Sequence, residues 1–403
     1  MSATLLRGAT FTDGTRGNVR IEDGCITSVT PSASGGAAEG ADVVDLDGYV
    51  VLPSAVEPHA HLDKAFLADL VPNPTGDLLG AIEAMDRHRD VMTVEGTADR
   101  AERAALRMAA NGYTAVRTHA DTVVDHGLTS VHALVEARRR VANVIDVEIV
   151  ALAGWPVAGD AGADQRAMLV DALAAGADVV GGCPHLDDAG TRSATETLLE
   201  LAAEVGRPID LHVDETLDES VAGLAELAEL VIATGFPHPV TASHCVSLGM
   251  QPIGVQQRTA ELVAAAGIGV VALPHTNLYL QGRDHPSAMP RGLTAVDRLR
   301  SAGAVVAAGA DNLQDPFNPL GRACPFETAG LMVLVAHLSP AVAFASVSDA
   351  ARCVLGLPAV SLSPGSPADL LAVRAASLRE AIALGPSGPG DRLIWRAGRQ
   401  TKF

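Results

Sequence analysis

The 403-residue chain predicts an α/β fold: a (β/α)8 TIM-like barrel with a small β-sandwich domain formed by the N- and C-terminal segments. Three observations carry this. Eight short apolar runs alternate with amphipathic helical stretches through the middle of the chain, the rhythm of repeated βα units. Seven of the eight runs carry a His, Asp or Glu at or just past the last apolar residue, and a barrel gathers its strand C-termini on one face, so these groups would converge in one cavity. The two ends of the chain show alternating apolar residues broken by turn signals instead.

The N-terminal part of the β-domain is expected over 1–50. There LLRGATFTD and GNVRIEDGCITSV read as strands, with Asp23-Gly24 as a hairpin turn. A Ser/Gly/Ala-rich loop follows from Ser32 to Gly40. The barrel is expected over 51–355. Its runs are YVVLPSAVEPH (Tyr49 to His59), TAVRTHAD (Thr114 to Asp121), VEIVALAG (Val147 to Gly154) and DVVGGCPH (Asp178 to His185). IDLHVDE (Ile209 to Glu215), VTASHC (Val240 to Cys245), GVVALPH (Gly269 to His275) and AVVAAGADN (Ala304 to Asn312) complete the set. Helices such as Asp99 to Ala110, stopped by Asn111-Gly112, have the polar starts and glycine ends of βα units. No GxGxxG follows the first run, which argues against an open doubly wound sheet. The closing segment, 356–403, turns at Pro364-Gly365 and then carries ADLLAV and LIWRAGRQT, strands that could complete the N-terminal sheet.

Composition narrows the function classes. Hydrophobic residues at 48% supply a large core, while aromatics at 3% argue against a base-stacking surface. A formal charge of −19 repels phosphate backbones and anionic membranes, so neither nucleic acid nor a membrane is expected as partner. A neutral or cationic small molecule is compatible with it, and a homo-oligomer stays open. The five cysteines lie far apart with no CxxC pair, a pattern of reduced thiols. MSATLLRGAT has no apolar stretch long enough for a secretion signal, and no run nears the ~20 apolar residues of a membrane span. A soluble, cytoplasmic protein is expected.

The chemistry lies at the strand ends. In His59-Ala60-His61, residues i and i+2 of a strand share a face, so both imidazoles can reach one metal ion. His212 ends the fifth run as a third imidazole, and Glu215, three residues on, could reach a water beside the ion without ligating it. Asp214 reads instead as a helix N-terminal acidic residue. Asp311 ends the eighth run, where a carboxylate can bind metal and accept a proton. Three imidazoles and a carboxylate suit one divalent ion, Zn²⁺ best, with Fe²⁺ or Mn²⁺ open; such an ion lowers the pKa of water from ~15.7 towards ~7. His244 in TASHC reads as a further ligand or as a proton donor to the substrate.

The stretches VLPSAVEPHAHLDKAF, NGYTAVRTHAD, ADVVGGCPHLD, DLHVDET, VTASHC, LQGR, RGLTAV and GADNLQDPFNPLG run in order from about Val51 to Arg322. Together they resemble the amidohydrolase superfamily, in its cytosine deaminase-like branch; GSPADLLAV and RAGRQT resemble the family's closing β-segment. The resemblance implies that His59, His61, His212 and Asp311 bind a single metal, that Glu215 carries protons between water and substrate, and that His244 stabilises developing charge. No Lys follows the fourth run, where binuclear relatives carry a bridging ligand, and His185 stands there instead; Lys64 is then a site-rim or structural charge. The sequence departs from the branch at the substrate. Where cytosine deaminases carry a Gln after the third strand, this chain has Gly154 and Trp155, and Ala310 and Asn312 flank the metal-binding Asp. Gln281 of LQGR is kept and could line the pocket, and Trp155 could wall it or pack outside the barrel. The expected reaction is hydrolytic deamination of a small nitrogen heterocycle or cyclic amidine by water, with cytosine a poor substrate. Hydrolysis of a cyclic amide, alkylamine release from a triazine-like ring, and a non-catalytic scaffold are the rivals.

Overall fold

A computed structural model describes residues 3–32, 40–386, 388 and 390–402; residues 33–39 of the expected Ser32–Gly40 loop lie outside them. The N-terminal segment forms β1 (Ala3–Thr10), β2 (Arg16–Glu22), β3 (Cys25–Pro31), β4 (Ala41–Asp45) and β5 (Tyr49–Pro53). The barrel strands are β6 (Ala55–Ala60), β7 (Tyr113–Thr122), β8 (Asp146–Ala153), β9 (Val179–Gly182), β10 (Ile209–Val213), β11 (Val240–His244), β12 (Gly269–Ala272) and β13 (Val306–Ala308). The chain closes with β14 (Leu370–Arg374), β15 (Arg392–Arg396) and β16 (Arg399–Thr401).

Both chain ends build one mixed sheet, ordered β16-β15-β14-β5-β1-β2-β3, with β4 on β1. Asp23 and Gly24 both take positive φ (48° and 84°) between β2 and β3, as a two-residue hairpin requires. Leu6, Val19, Ile26, Val51, Leu370 and Trp395 bury their side chains in one core beneath this sheet. The first apolar run is therefore two strands, not one. Tyr49–Pro53 pairs antiparallel with β14, and at Ser54, whose N–H donates to the Asp369 carbonyl, the chain leaves this sheet for the barrel.

The second sheet runs β6 to β13 in sequence order, every recorded pair parallel. It closes on itself through a parallel bridge between Ala60 and Asp311, where the Asp311 N–H donates to the His59 carbonyl at 3.1 Å. The helix Val94–Ala110 shows how the outer layer is fixed. Thr93 caps it by accepting from the Gly96 N–H, earlier than the Asp99 start read from sequence, and Ala98, Ala101, Ala105 and Met108 face inward. It stops at Asn111, and Gly112 follows at φ 104°. A Cβ there would lie 2.7 Å from Leu371 Cδ2, so the glycine lets the barrel sit against β14. Among the described residues no helix is long and apolar enough to cross a membrane.

Candidate metal centre

Strand geometry explains why the site forms where it does. Non-glycine residues with positive φ are uncommon and cluster at functional sites. Here Asp214 (50°), His244 (69°), Cys245 (52°) and Asp311 (62°) adopt it at the C-terminal ends of β10, β11 and β13. These turns aim strand-end side chains across the barrel mouth.

There His61 Nε2 and His212 Nε2 lie 3.2 Å apart, and Asp311 Oδ1 stands 3.7 Å from His59 Nε2 and 3.4 Å from His61 Nε2. His244 Nε2 is 3.9 Å from Asp311 Oδ2. His59, His61 and His212 form one group able to share an ion, and His59, His244 and Asp311 another. All five side chains are buried.

The unpaired atoms test the fit to a metal. His59 Nε2, His244 Nε2 and both Asp311 carboxylate oxygens are buried without a hydrogen-bond partner among the described residues. Leaving such groups unmatched costs about 1–3 kcal/mol each, and one divalent cation would satisfy them together. Protonation states agree. Burial, and then neighbouring imidazoles, hold His59 and His212 well below the ordinary imidazole range; burial and then Lys64 do so for His61. Neutral rings are what a metal needs. Burial pushes Asp311 up to about 8, against the lowering pull of Thr276 and Lys64.

Around this quartet the side chains are pinned. His59 Nδ1 lies 2.9 Å from Ser243 Oγ, Ser243 Oγ donates to Asp210 Oδ1 at 3.2 Å, and Arg117 Nη1 donates to Asp210 Oδ2 at 2.9 Å. Glu57 lies below: its carboxylate accepts from the N–H groups of His59 and Ala310, fixing both halves of the barrel closure. Burial raises it to about 8. His119 packs 4.0 Å from His59 centroid to centroid; its Nε2 stands 4.0 Å from Asp210 Oδ1, and neither ring nitrogen has a hydrogen-bond partner among the described residues. None of Glu57, Ser243, Asp210 and His119 was singled out in the sequence. The one cue for Glu57 and His119 was a polar residue inside an otherwise apolar run.

Glu215 follows β10 and faces the same cavity, its Oε1 3.3 Å from His244 Nδ1. Burial, reinforced by Asp311, raises its carboxyl well above the usual range. His244 Nδ1 also lies 3.1 Å from Asn277 Oδ1, and burial lowers the ring to about 3. Asp214 accepts from the Gly223 and Leu224 N–H groups at the start of the helix Gly223–Thr234, the helix-terminal role read for it. Lys64 lines the cavity and is buried, 2.6 Å from Asp121 Oδ1 and 3.3 Å from His61 Nδ1. His185 donates through Nδ1 to the His212 carbonyl, and burial lowers it to about 4.

The cavity holds about 590 Å³ and is lined on one side by His61, His212, Glu215, His244 and Asp311. Gly154 and Trp155 line it too, and Trp155, 40% exposed, is part of its wall rather than packed outside the barrel. Asn312 lines it, but both ends of its amide are engaged: Oδ1 accepts from Thr276 and Nδ2 donates to Asp315. Gln281 is corrected. It does not line the cavity, because its Nε2 donates to the Glu215 carbonyl at 3.1 Å and so holds the Glu215 backbone instead.

A closed βα-barrel with buried imidazoles and carboxylates at its strand ends defines a hydrolase built around a metal-ion site. Residues 92–400 match the model of the Amidohydrolase family, and the chain belongs to that family. It is 33% identical over 392 residues to a pterin deaminase of Rhizobium rhizogenes, spanning 95% of this chain and 87% of the relative. The crystal structure of 5-methylcytosine deaminase from Klebsiella pneumoniae liganded with 5-fluorocytosine superposes with TM-score 0.89 at 29% identity, covering 98% and 97% of the two chains. N-isopropylammelide isopropylaminohydrolase from Burkholderia multivorans gives 0.83 at 29% identity, covering 99% and 98%. The enzyme is a hydrolase of carbon–nitrogen bonds other than peptide bonds.

Proposed function

We propose that the enzyme hydrolytically deaminates an amino-heterocycle, of the size and flatness of a pterin, with one divalent ion held by His59, His61, His212 and Asp311. The observation that carries this reading is the pairing of buried, unsatisfied metal-type donors with Glu215, a protonatable carboxyl facing the same cavity. A bound ion would supply Lewis acidity that makes hydroxide accessible at neutral pH, and the nitrogen and oxygen donor set suits Zn²⁺.

The chain's own residues supply the rest. Glu215 takes one proton from the attacking water and delivers it to the ring nitrogen as the C–O bond forms; it then passes the second, from the hydroxyl of the adduct, to the amine, which leaves as ammonia as the C–N bond breaks and the carbonyl forms. Burial, which raises its carboxyl well above the usual range, favours a group that holds a proton before releasing it. His244 stabilises charge as it develops on the ring, and Asp311 assists by accepting a proton from the attacking water. Trp155 offers a flat face to the substrate, and the pterin deaminase relative, at 33% identity, supports a two-ring substrate over cytosine. The structure of the isopropylaminohydrolase keeps a second reading alive, release of an alkylamine from a triazine ring.

Pterins, aminotriazines, aminopyrimidines and cyclic guanidines, incubated with zinc-loaded enzyme and assayed for ammonia, separate these readings. Ammonia from pterin supports the proposal. Alkylamine without ammonia, from N-alkylated triazines alone, would replace it.

A further inference from the structure

The wall of the cavity beside β8 carries an amide that no strand end supplies. Gln165 stands in the first turn of the helix Ala163–Ala175 and is buried. Its Nε2 donates to the Thr122 carbonyl at the end of β7, which fixes the other end of the amide. Oε1 has no hydrogen-bond partner among the described residues, and Gln165 lines the same cavity as His212, Glu215 and Asp311. Gly154 is what admits it: a Cβ there would lie 3.2 Å from Gln165 Oε1 and 2.8 Å from Val123 Cγ1. The missing side chain at Gly154 thus leaves room for an amide that arrives from the next helix.

With Nε2 held at the Thr122 carbonyl, Oε1 is the end that the amide offers to the cavity, as an acceptor. Turning it over would strip the Thr122 carbonyl of its partner, which costs about as much as any buried unmatched group. Asp125 and Asp164, also in the lining, add acceptors and no donors. We propose that Gln165 determines specificity by accepting, at Oε1, a hydrogen bond from a ring N–H on the flank of the substrate that faces β8. A site built to pair one ring N–H rejects rings that lack it. The proposal rests on the deamination reading for the identity of the ring, but not for the contact itself.

The test crosses two changes: pterin against N3-methylpterin, and wild type against Gln165→Leu. Melting temperature and metal content of each protein are measured alongside. In wild type, methylation lowers kcat/KM by about 10–100-fold, mostly through KM; in Gln165→Leu the two rings become equivalent. The same methylation penalty in both proteins would overturn the proposal. Affinities for 2,4-dioxopteridine and its N3-methyl derivative, measured by calorimetry, give a readout independent of turnover. They decide the matter if wild type releases no ammonia from pterin, a result that would sink the deamination reading alone. Equal affinity of the two rings for wild type, or binding of neither, would overturn the role of Gln165. If Gln165→Leu does not fold, Gly154→Ala crowds the amide in place and must narrow the same ratio; an unchanged ratio refutes the contact.

Discussion

Ser243 carries no chemistry of its own, yet removing its hydroxyl should cost the enzyme its metal. Its Oγ lies 2.9 Å from His59 Nδ1 and 3.2 Å from Asp210 Oδ1. The single hydroxyl hydrogen goes to the carboxylate, so Oγ must accept from His59 Nδ1–H. That hydrogen bond fixes the tautomer in which His59 Nε2 carries a free lone pair, the form a metal needs. Ser243→Ala leaves the buried Nδ1–H unmatched, at about 1–3 kcal/mol, and this corresponds to about 10–100-fold weaker metal binding. Asp210→Asn should do as much without changing volume. With its carbonyl kept on Arg117, its amide would donate to Ser243 and reverse the hydroxyl, leaving the proton on His59 Nε2. The assay is a zinc competition titration against a chromophoric chelator, with far-UV spectra to confirm the fold. Zinc affinity unchanged in both variants would refute the reasoning.

Other perturbations probe the frame and the pocket. Arg117 pairs with Asp210 and Glu148 inside the barrel, and removing one partner of a buried pair costs about 3–5 kcal/mol; urea unfolding of metal-free Arg117→Met should show a loss of that order. His275, in the first turn of the helix Pro274–Leu280, is held down to about 4 by burial and then by Arg322. An unfolded His titrates near 6.5, so the stability this group contributes is present above about pH 6.5 and lost as pH falls through about 4. His275→Gln should flatten that acid loss by about 1–2 kcal/mol, the larger value being reduced by the ring's partial exposure, as followed by melting temperature against pH. His212→Ala should leave dialysed protein with far less than one equivalent of metal, read by elemental analysis.

The sequence made the barrel legible because buried parallel strands are continuous apolar runs, and each of the eight runs overlaps a strand of β6 to β13. It misjudged Tyr49–His59, where two strands of different sheets abut at Ser54 and periodicity gives no sign of the change. The quartet His59, His61, His212 and Asp311 could be read because each residue sits at a strand end, and a barrel brings all strand ends together. Residues that act through distant partners could not be read that way. Glu57 holds Ala310, 253 positions away, and Ser243 holds His59, 184 positions away. Gln281 illustrates the converse. A motif placed it near the site, but only the coordinates show its amide committed to the Glu215 backbone. Gly154 marked a missing side chain, while the amide of Gln165 that occupies its neighbourhood begins in the following helix.

The central claim is that metal holding and proton transfer belong to different residues of one site. Glu215→Gln tests it most directly, with zinc content and the rate of ammonia release measured on the same preparation. About one equivalent of zinc is expected, as in wild type, with kcat lower by roughly 10²–10⁴, the usual range for losing a general acid–base. A variant that loses its zinc, or one that keeps wild-type turnover, would contradict it.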